Sequence, residues 1–378
     1  MRTGSLLILI LLLFVFRQQE PVSAQELTDP LAYLADAAGS EALQLPDDAQ
    51  TMLDTYGISA EDPTSLLSLS PADCFHAIGD MILEAAVTPL KLLGVLLTLT
   101  MVCAGLGGLG DSLSQEKGIR RLFEMLCILL CIGTAAKPLC SCLNDAAAAL
   151  SEGNVFMISF IPLFASFLAA GGHVATGAGY QIFLLFLTEG IGLLTGKLLF
   201  PLLQMSTALG MADSLNPTMR LNGLVNGSRK AVVWILGTVM ALFAALLSIR
   251  SFVASAADGL SAKTAKLLSA GLIPVVGSAV SEAYTTVQGS IGLLRSGFGV
   301  IGILTIAWLL LPPLITVGLY RILFAAAGLV ADLSGSDCLT RLYRNAEAVL
   351  SAVFAILISY GMMMILSTAL MLLLLKGT

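Results

Sequence analysis

The chain has 378 residues, of which 57% are hydrophobic and only 12% are charged, with a formal net charge of −6 and a mean hydropathy of +0.92. Soluble domains average about 25% charged residues, so this composition excludes a soluble enzyme, a disordered protein and a nucleic-acid-binding protein. It indicates an all-α polytopic membrane protein in contact with the lipid bilayer.

Residues 1–24 have the pattern of a secretory signal peptide. Arg2 supplies the charged start, and Leu6–Phe16 is an apolar segment too short for a comfortable membrane span. Val22-Ser23-Ala24 then offers small residues for cleavage. The alternative is an uncleaved anchor, and either outcome places residues 25–86 outside the cytoplasm.

Charge is distributed unevenly along the rest of the chain. Residues 25–86 hold twelve acidic residues and no Lys or Arg, whereas residues 87–378 hold seventeen basic and twelve acidic residues. Basic residues collect in cytoplasmic loops, so the acidic segment is predicted to be extracytoplasmic. Three basic clusters are predicted to be cytoplasmic: Lys117, Arg120 and Arg121; Arg220, Arg229 and Lys230; Arg321, Arg341 and Arg344.

Apolar runs long enough to cross a bilayer recur after the acidic segment. We divide this part of the chain into a first transmembrane helix at 87–110, two repeat units at 111–222 and 223–330, and a carboxyl-terminal transmembrane segment at 331–378. The predicted spans are Val87–Leu109, Leu122–Leu139, Tyr180–Leu203, Ala231–Phe252, Phe298–Val317 and Val349–Leu375. Shorter apolar segments lie at Val155–Ala170 and Leu267–Val280.

A tandem repeat is predicted from the alignment of residues 155–206 with residues 267–318. The two ranges share eleven identities in 52 positions, and the Ile161-Pro162 pair aligns with Ile273-Pro274. Repeats of this kind are common in membrane transport folds.

The two short Ile-Pro segments allow two topologies. If all three basic clusters are cytoplasmic, each unit crosses the membrane an even number of times, and these segments are re-entrant hairpins broken by Pro and Gly. The competing interpretation makes them full spans, with three crossings per unit and an inverted repeat. We favour the re-entrant interpretation.

The residues singled out as candidate structural breaks or conduit positions are prolines and one intramembrane acid. Proline removes a backbone donor inside a helix, so Pro162, Pro274, Pro201, Pro312 and Pro313 mark predicted breaks. Glu189 lies inside a predicted span, with Lys197 on roughly the same face. Glu189 has two interpretations: it faces a pore or partner, or it forms a structural hydrogen bond inside the bundle.

No motif predicts catalysis, a cofactor or a metal ion. Gly105, Gly107 and Gly110 spell G-x-G-x-x-G, but they close a membrane span and lack the strand that a dinucleotide site requires. The two histidines, His76 and His173, are isolated. The cysteines are interpreted as small packing residues of helices.

The chain resembles the stage III sporulation protein AE family over residues 87–375. The similarity lies in Ser159-Phe160-Ile161-Pro162-Leu163-Phe164-Ala165, Ser251 to Gly259, Thr264-Ala265-Lys266, Ile273-Pro274-Val275-Val276-Gly277 and Leu311-Pro312-Pro313-Leu314. Residues 25–86 match in placement alone.

The resemblance implies a multi-pass subunit of the mother-cell membrane that surrounds the forespore. Its implied partners are other stage III sporulation membrane proteins and their ATPase, and a forespore membrane protein across the intermembrane space. The implied role is in a channel or secretion-like complex that supports late forespore gene expression. The alternatives are a stand-alone secondary transporter of a small solute and a non-conducting scaffold.

Overall fold

The computed structural model describes the backbone of residues 71–113, 117–170, 174–215, 222–272 and 277–376. Side chains are described over most of these ranges, except chiefly at 106–124, 167–177 and 250–298. The predicted signal peptide, most of the acidic segment and Pro274 lie outside the described residues. All described residues belong to one compact unit.

The described residues form long helices. They are α1 (Pro71–Leu113), α2 (Lys117–Ala170), α3 (Val174–Leu194), a π turn (Thr195–Leu199), α4 (Phe200–Leu215), α5 (Asn222–Leu272), α6 (Gly277–Leu333) and α7 (Asp337–Lys376). Helix α3, the π turn and α4 follow one another without a break. Within this part of the chain, six helical segments are long and apolar enough to cross a membrane. The protein is therefore a multi-pass α-helical membrane protein.

Contacts between side chains show that neighbouring helices run in opposite directions. Asn154 of α2 lies against Gly192 of α3, and Ser206 of α4 shares a hydrogen bond with Ser228 of α5. Both pairs are placed symmetrically about the connection between their helices.

The last two helices form a third antiparallel pair. Arg344 of α7 forms an ion pair with Asp332 of α6 at 3.3 Å, and Arg321 forms one with Glu347 at 3.7 Å. Gly335, with a φ of 69°, closes the tight turn after α6, because its left-handed conformation suits a residue without a Cβ atom.

Helix α7 is the centre of the bundle. Of the most apolar stretch of α7, 56% is buried within the protein, against 17% in α1 and in α5, which are peripheral. Tyr343 of α7 contacts Cys131 of α2, and Tyr360, farther along α7, contacts Asn154, farther along α2. The helices α7 and α2 are therefore parallel. The six long apolar helical segments therefore alternate in direction along the chain. The three connections next to the basic clusters lie at the same end of the bundle.

The first helix begins earlier than expected. Helix α1 starts at Pro71, and its apolar stretch is Ile78–Gly105, whereas the sequence predicted a span from Val87. Asp80 and Glu84, which the sequence assigned to the acidic segment, therefore belong to the same helix as the first span.

The favoured re-entrant interpretation is wrong for Val155–Ala170. This segment is the last third of the 54-residue helix α2, which continues through Pro162. A proline inside a helix costs one hydrogen bond and about 3 kcal/mol, but ending the helix in a bilayer would expose several unpaired carbonyl and N–H groups. Continuation is thus the less costly solution. Pro312 and Pro313 likewise lie inside α6.

The tandem repeat stays a prediction. Helix α2 ends at Ala170, which the predicted alignment maps to Glu282, yet α5 ends at Leu272 and Glu282 lies within α6. Each predicted unit contains two long helical segments, as the repeat requires. The ends of these segments, however, do not lie at aligned positions.

Candidate functional site: charged residues at the middle of the membrane

One hydrogen bond sets α2 and α7 at a common level in the bundle. Tyr360 lies at the centre of the uncharged stretch 348–375 of α7, which is bounded by Glu347 and Lys376. Such a stretch is long enough to cross the hydrocarbon core of about 30 Å. The Tyr360 hydroxyl donates to Oδ1 of Asn154 at 2.9 Å, so Asn154 lies level with the centre of this stretch.

Glycines allow the close approach of helices at this level. A Cβ atom on Gly153 would lie 2.9 Å from the Tyr360 hydroxyl oxygen, and a Cβ atom on Gly192 would collide with the Asn154 amide. The contact with Gly192 brings α3 to the same depth as Asn154. Small residues serve this purpose between membrane helices, where close packing drives association.

On α2, α3 and the π turn, four charged residues lie within about 15 Å of this level along the helix axes. Glu152 is two residues from Asn154 and Asp145 is nine, whereas Glu189 and Lys197 are three and five residues from Gly192. At 1.5 Å per residue, these offsets correspond to about 3, 13.5, 4.5 and 7.5 Å.

All four side chains lie on the outside of the described bundle. Asp145, Glu152, Glu189 and Lys197 are exposed, and neither Glu189 nor Lys197 forms an ion pair with another described residue. Asp145 accepts a hydrogen bond from Ser141 at 3.1 Å. A charged residue at the centre of a membrane helix costs about 2.5–3.5 kcal/mol on insertion scales, so these residues face water or protein in preference to lipid.

The interior at the same depth is packed with aromatic rings. Phe156, Phe160 and Phe164 form a buried ladder along α2, with ring centroids 5.3 and 5.7 Å apart. Phe160 also packs against Gly302 of α6. Farther along, a cavity of about 10 Å³ between α2, α4 and α7 has room for no more than one water molecule.

Pro201 accounts for the π turn that carries Lys197. It has no N–H to offer the Lys197 carbonyl, and its ring would collide with that oxygen in a regular α-helix. Instead, the Phe200 N–H donates to the Thr195 carbonyl, five residues back. Thr195 also donates through its hydroxyl to the Ile191 carbonyl at 2.6 Å. Single π turns inside α-helices are frequent at functional sites.

The structure separates the residues that the sequence had grouped as candidates. Glu189 and the π turn before Pro201 lie at a similar level, and the side chains of Glu189, Lys197 and Pro201 are exposed. Glu189 is exposed on the single chain, and both interpretations of it stay predictions. Pro162, Pro312 and Pro313 are half-buried inside regular helices and do not break them.

Sequence reasoning missed Asp145 and Glu152. Residues 140–154 lay between two predicted apolar segments, so they were not assigned to a span. A signal was present, because polar residues recur at helical spacing along one face of α2 and are exposed in the structure: Ser141, Asp145, Ser151, Glu152 and Ser159.

A second polar contact joins three helices nearer the basic end. The Tyr343 hydroxyl lies 3.1 Å from Oγ1 of Thr100 and donates to Sγ of Cys131 at 3.5 Å. Thr100 in turn donates to the Leu96 carbonyl at 2.7 Å. All three linked side chains are buried. Cys131 thus packs inside the bundle, as the sequence predicted for the cysteines in apolar runs.

Side chains that could bind a metal ion are dispersed over the described helices. Within the described residues, no group of three or more His, Cys, Asp and Glu side chains is arranged to hold a metal ion.

Comparison with known proteins gives the family. The stage III sporulation protein AE family matches residues 64–374, which is most of the chain. The chain belongs to this family. It is also 27% identical over 301 residues to "Stage III sporulation protein AE" of Bacillus subtilis (strain 168), covering 79% of this chain and 75% of that relative. No solved structure matches.

Family membership confirms the resemblance drawn from the Ile-Pro and Pro-Pro motifs. The matched range also begins at residue 64, so it includes the start of α1, which the motifs did not cover. The protein is a multi-pass membrane protein of a sporulation family.

Proposed function

We propose that this chain is a membrane subunit of a channel or secretion-like complex between the mother cell and the forespore, needed for late forespore gene expression. It resides in the mother-cell membrane around the forespore, with its mature amino terminus outside the cytoplasm. Its partners are other stage III sporulation membrane proteins, their ATPase, and a forespore membrane protein across the intermembrane space. The proposal assigns no catalytic residue.

One observation carries this proposal: charged residues face outward on helical segments that are apolar enough to cross a membrane. Asp145, Glu152, Glu189 and Lys197 are exposed, whereas the interior beside them is filled by Phe156 and Phe160. A chain alone in lipid would leave four charges in hydrocarbon, which is unfavourable. Assembly with other chains, around water or in direct contact, removes that cost.

The polar path, on this proposal, runs along the outside of the bundle and not through it. Glu189 and Lys197 then lie on the wall of the conduit, and the π turn before Pro201 sets the direction of Lys197. Pro162 is assigned a secondary role as a point where α2 can bend, and Pro274 lies outside the described residues.

Purification from sporulating cells tests the proposal. A chain tagged at its carboxyl terminus is crosslinked in intact cells, extracted and identified together with its partners by mass spectrometry. We expect the other stage III membrane proteins and their ATPase to co-purify, and deletion of the gene to lower a late forespore reporter. A chain that is recovered alone and moves a solute in liposomes contradicts the proposal and supports the stand-alone transporter.

A further inference from the structure

Two outer faces of the bundle carry the intramembrane charges. The outer face of α2 carries exposed Asp145, Glu152 and Ser159, and the outer face of α3 with its π turn carries exposed Glu189 and Lys197. Exposed apolar side chains lie beside them, such as Ile158 and Leu193. The outer face of α2 is acidic and offers a hydroxyl donor. The outer face of α3 offers one ammonium group and one carboxylate.

The contact between Asn154 and Gly192 sets both faces on a common depth scale. Helices α2 and α3 are antiparallel, so Lys197 lies about 7.5 Å below that contact, between Glu152 at about 3 Å and Asp145 at about 13.5 Å. Glu189 lies about 4.5 Å above the contact, and Ser159 about 7.5 Å above it. Lys197 is therefore within about 6 Å in depth of both Glu152 and Asp145, and Glu189 is within about 3 Å in depth of Ser159.

Within one chain these groups do not meet. Lys197 forms no ion pair with Asp145, Glu152 or any other described residue. Copies of one protein in one membrane share the same orientation, so a residue keeps its depth in every copy. The depth match therefore applies between neighbouring copies.

We propose that the outer face of α2 on one copy binds the outer face of α3 on the next copy, within the membrane. Lys197 of one copy pairs with Glu152 and Asp145 of its neighbour. Glu189 accepts a hydrogen bond from the Ser159 hydroxyl, which turns away from the Val155 carbonyl that it contacts at 3.3 Å in the single chain. The contact is head-to-tail, so it extends into a ring or chain of copies. The inference requires membrane insertion but not a conduit, and so goes beyond the proposed function.

Crosslinking in native membranes tests this contact. In a background without native cysteines, Glu152→Cys and Lys197→Cys are placed in one chain and treated with a short bifunctional thiol reagent. We expect a ladder of multimers from this double variant. Co-expression of the two single variants should give dimers only. The control pairs Glu152→Cys with Met362→Cys, an exposed apolar position of α7 near the same depth, and should give neither.

Charge reversal supplies a second measurement that does not depend on thiol geometry. Glu152→Lys and Lys197→Glu should each lower the mass of the detergent-extracted assembly, and reduce self-association by at least roughly 10-fold, because like charges then face each other. Combining both reversals in one chain should restore assembly. Both positions are exposed, so the fold tolerates the changes, which the thermal unfolding midpoint verifies.

Three results would overturn the inference. Crosslinks confined to Glu152→Cys with itself or Lys197→Cys with itself would show that like faces meet. A crosslink to another protein would assign the face to a different partner. A monomer whose mass is unchanged by either reversal would exclude self-association. Crosslinking is scored whether or not spores form, so its failure is distinct from failure of the proposed function.

Discussion

The hydrogen bond between Tyr360 and Asn154 is made where water is scarce, so its loss leaves an amide oxygen without a partner. Tyr360→Phe and Asn154→Ala should each lower stability, and the double variant should lose less than the sum of the two. We expect a coupling energy of about 1 kcal/mol, the usual range for hydrogen bonds between membrane helices. Chemical unfolding in detergent measures it. Strictly additive losses would show that the two side chains do not interact.

Gly302 is the tightest point between α6 and the aromatic ladder of α2. A Cβ atom there would collide with the Phe160 ring, whereas a Cβ atom on Gly237 of α5 meets no atom within 4 Å. Gly302→Val should therefore destabilise the protein by about 1–3 kcal/mol through overpacking, and the matched change Gly237→Val should not. Membrane levels and the unfolding midpoint check this.

A smaller side chain at position 160 provides the complementary test. Phe160→Ala opens space beside Gly302. It should therefore lower the free energy of unfolding less in the Gly302→Val variant than in the wild type. If the two changes weaken the protein independently, the ring is not what Gly302→Val encounters.

At the scale of elements, the π turn accommodates one residue more than a regular α-helical turn. Deleting Gly196, which is exposed and has open space beside it, together with Pro201→Ala, which removes the ring and supplies the missing N–H, should turn this segment into regular α-helix without rotating the flanking faces. Deleting Gly190, equally exposed on the same helix, should rotate one flank by about 100° and disrupt packing. We expect normal membrane levels for the first deletion and strongly reduced levels for the second. Equal levels would contradict the register argument.

The elements also show what the sequence can predict. Six apolar segments were located from composition alone, because the bilayer demands about 20 apolar residues per span. The continuity of α2 was not predicted, because residues 140–154 are polar and Pro162 suggested a break. What makes it continuous is tertiary: Phe160 packs on Gly302, and Tyr360 bonds Asn154. Glu189 was found from the sequence because it lies inside a predicted apolar span. Asp145 and Glu152 were not, because they lie between two predicted apolar segments.

At the scale of the whole molecule, alternating helices predict the side of every loop. Cysteines at Ser114, Thr218 and Ser336 should be protected from a membrane-impermeant reagent added outside, and a cysteine at Gly172 should react with it. The reason is that six crossings place all three basic clusters on one side, which the distribution of positive charge assigns to the cytoplasm. Labelling at Thr218 but not at Gly172 would favour the inverted repeat with three crossings per unit.

Helices α5 and α6 are longer than a membrane requires. Helix α5 continues past Ile249, where its apolar stretch ends, as far as Leu272, and α6 begins at Gly277, well before its apolar stretch starts at Gly299. Both extensions leave the end of the bundle opposite the basic clusters, and each measures about 33 Å at 1.5 Å per residue. Each extension is a helical spacer as long as the hydrocarbon core is thick. On the proposed function, a protein bound at its tip would be held that far from the membrane surface, so the lengths of these two helices would set the spacing between the two membranes.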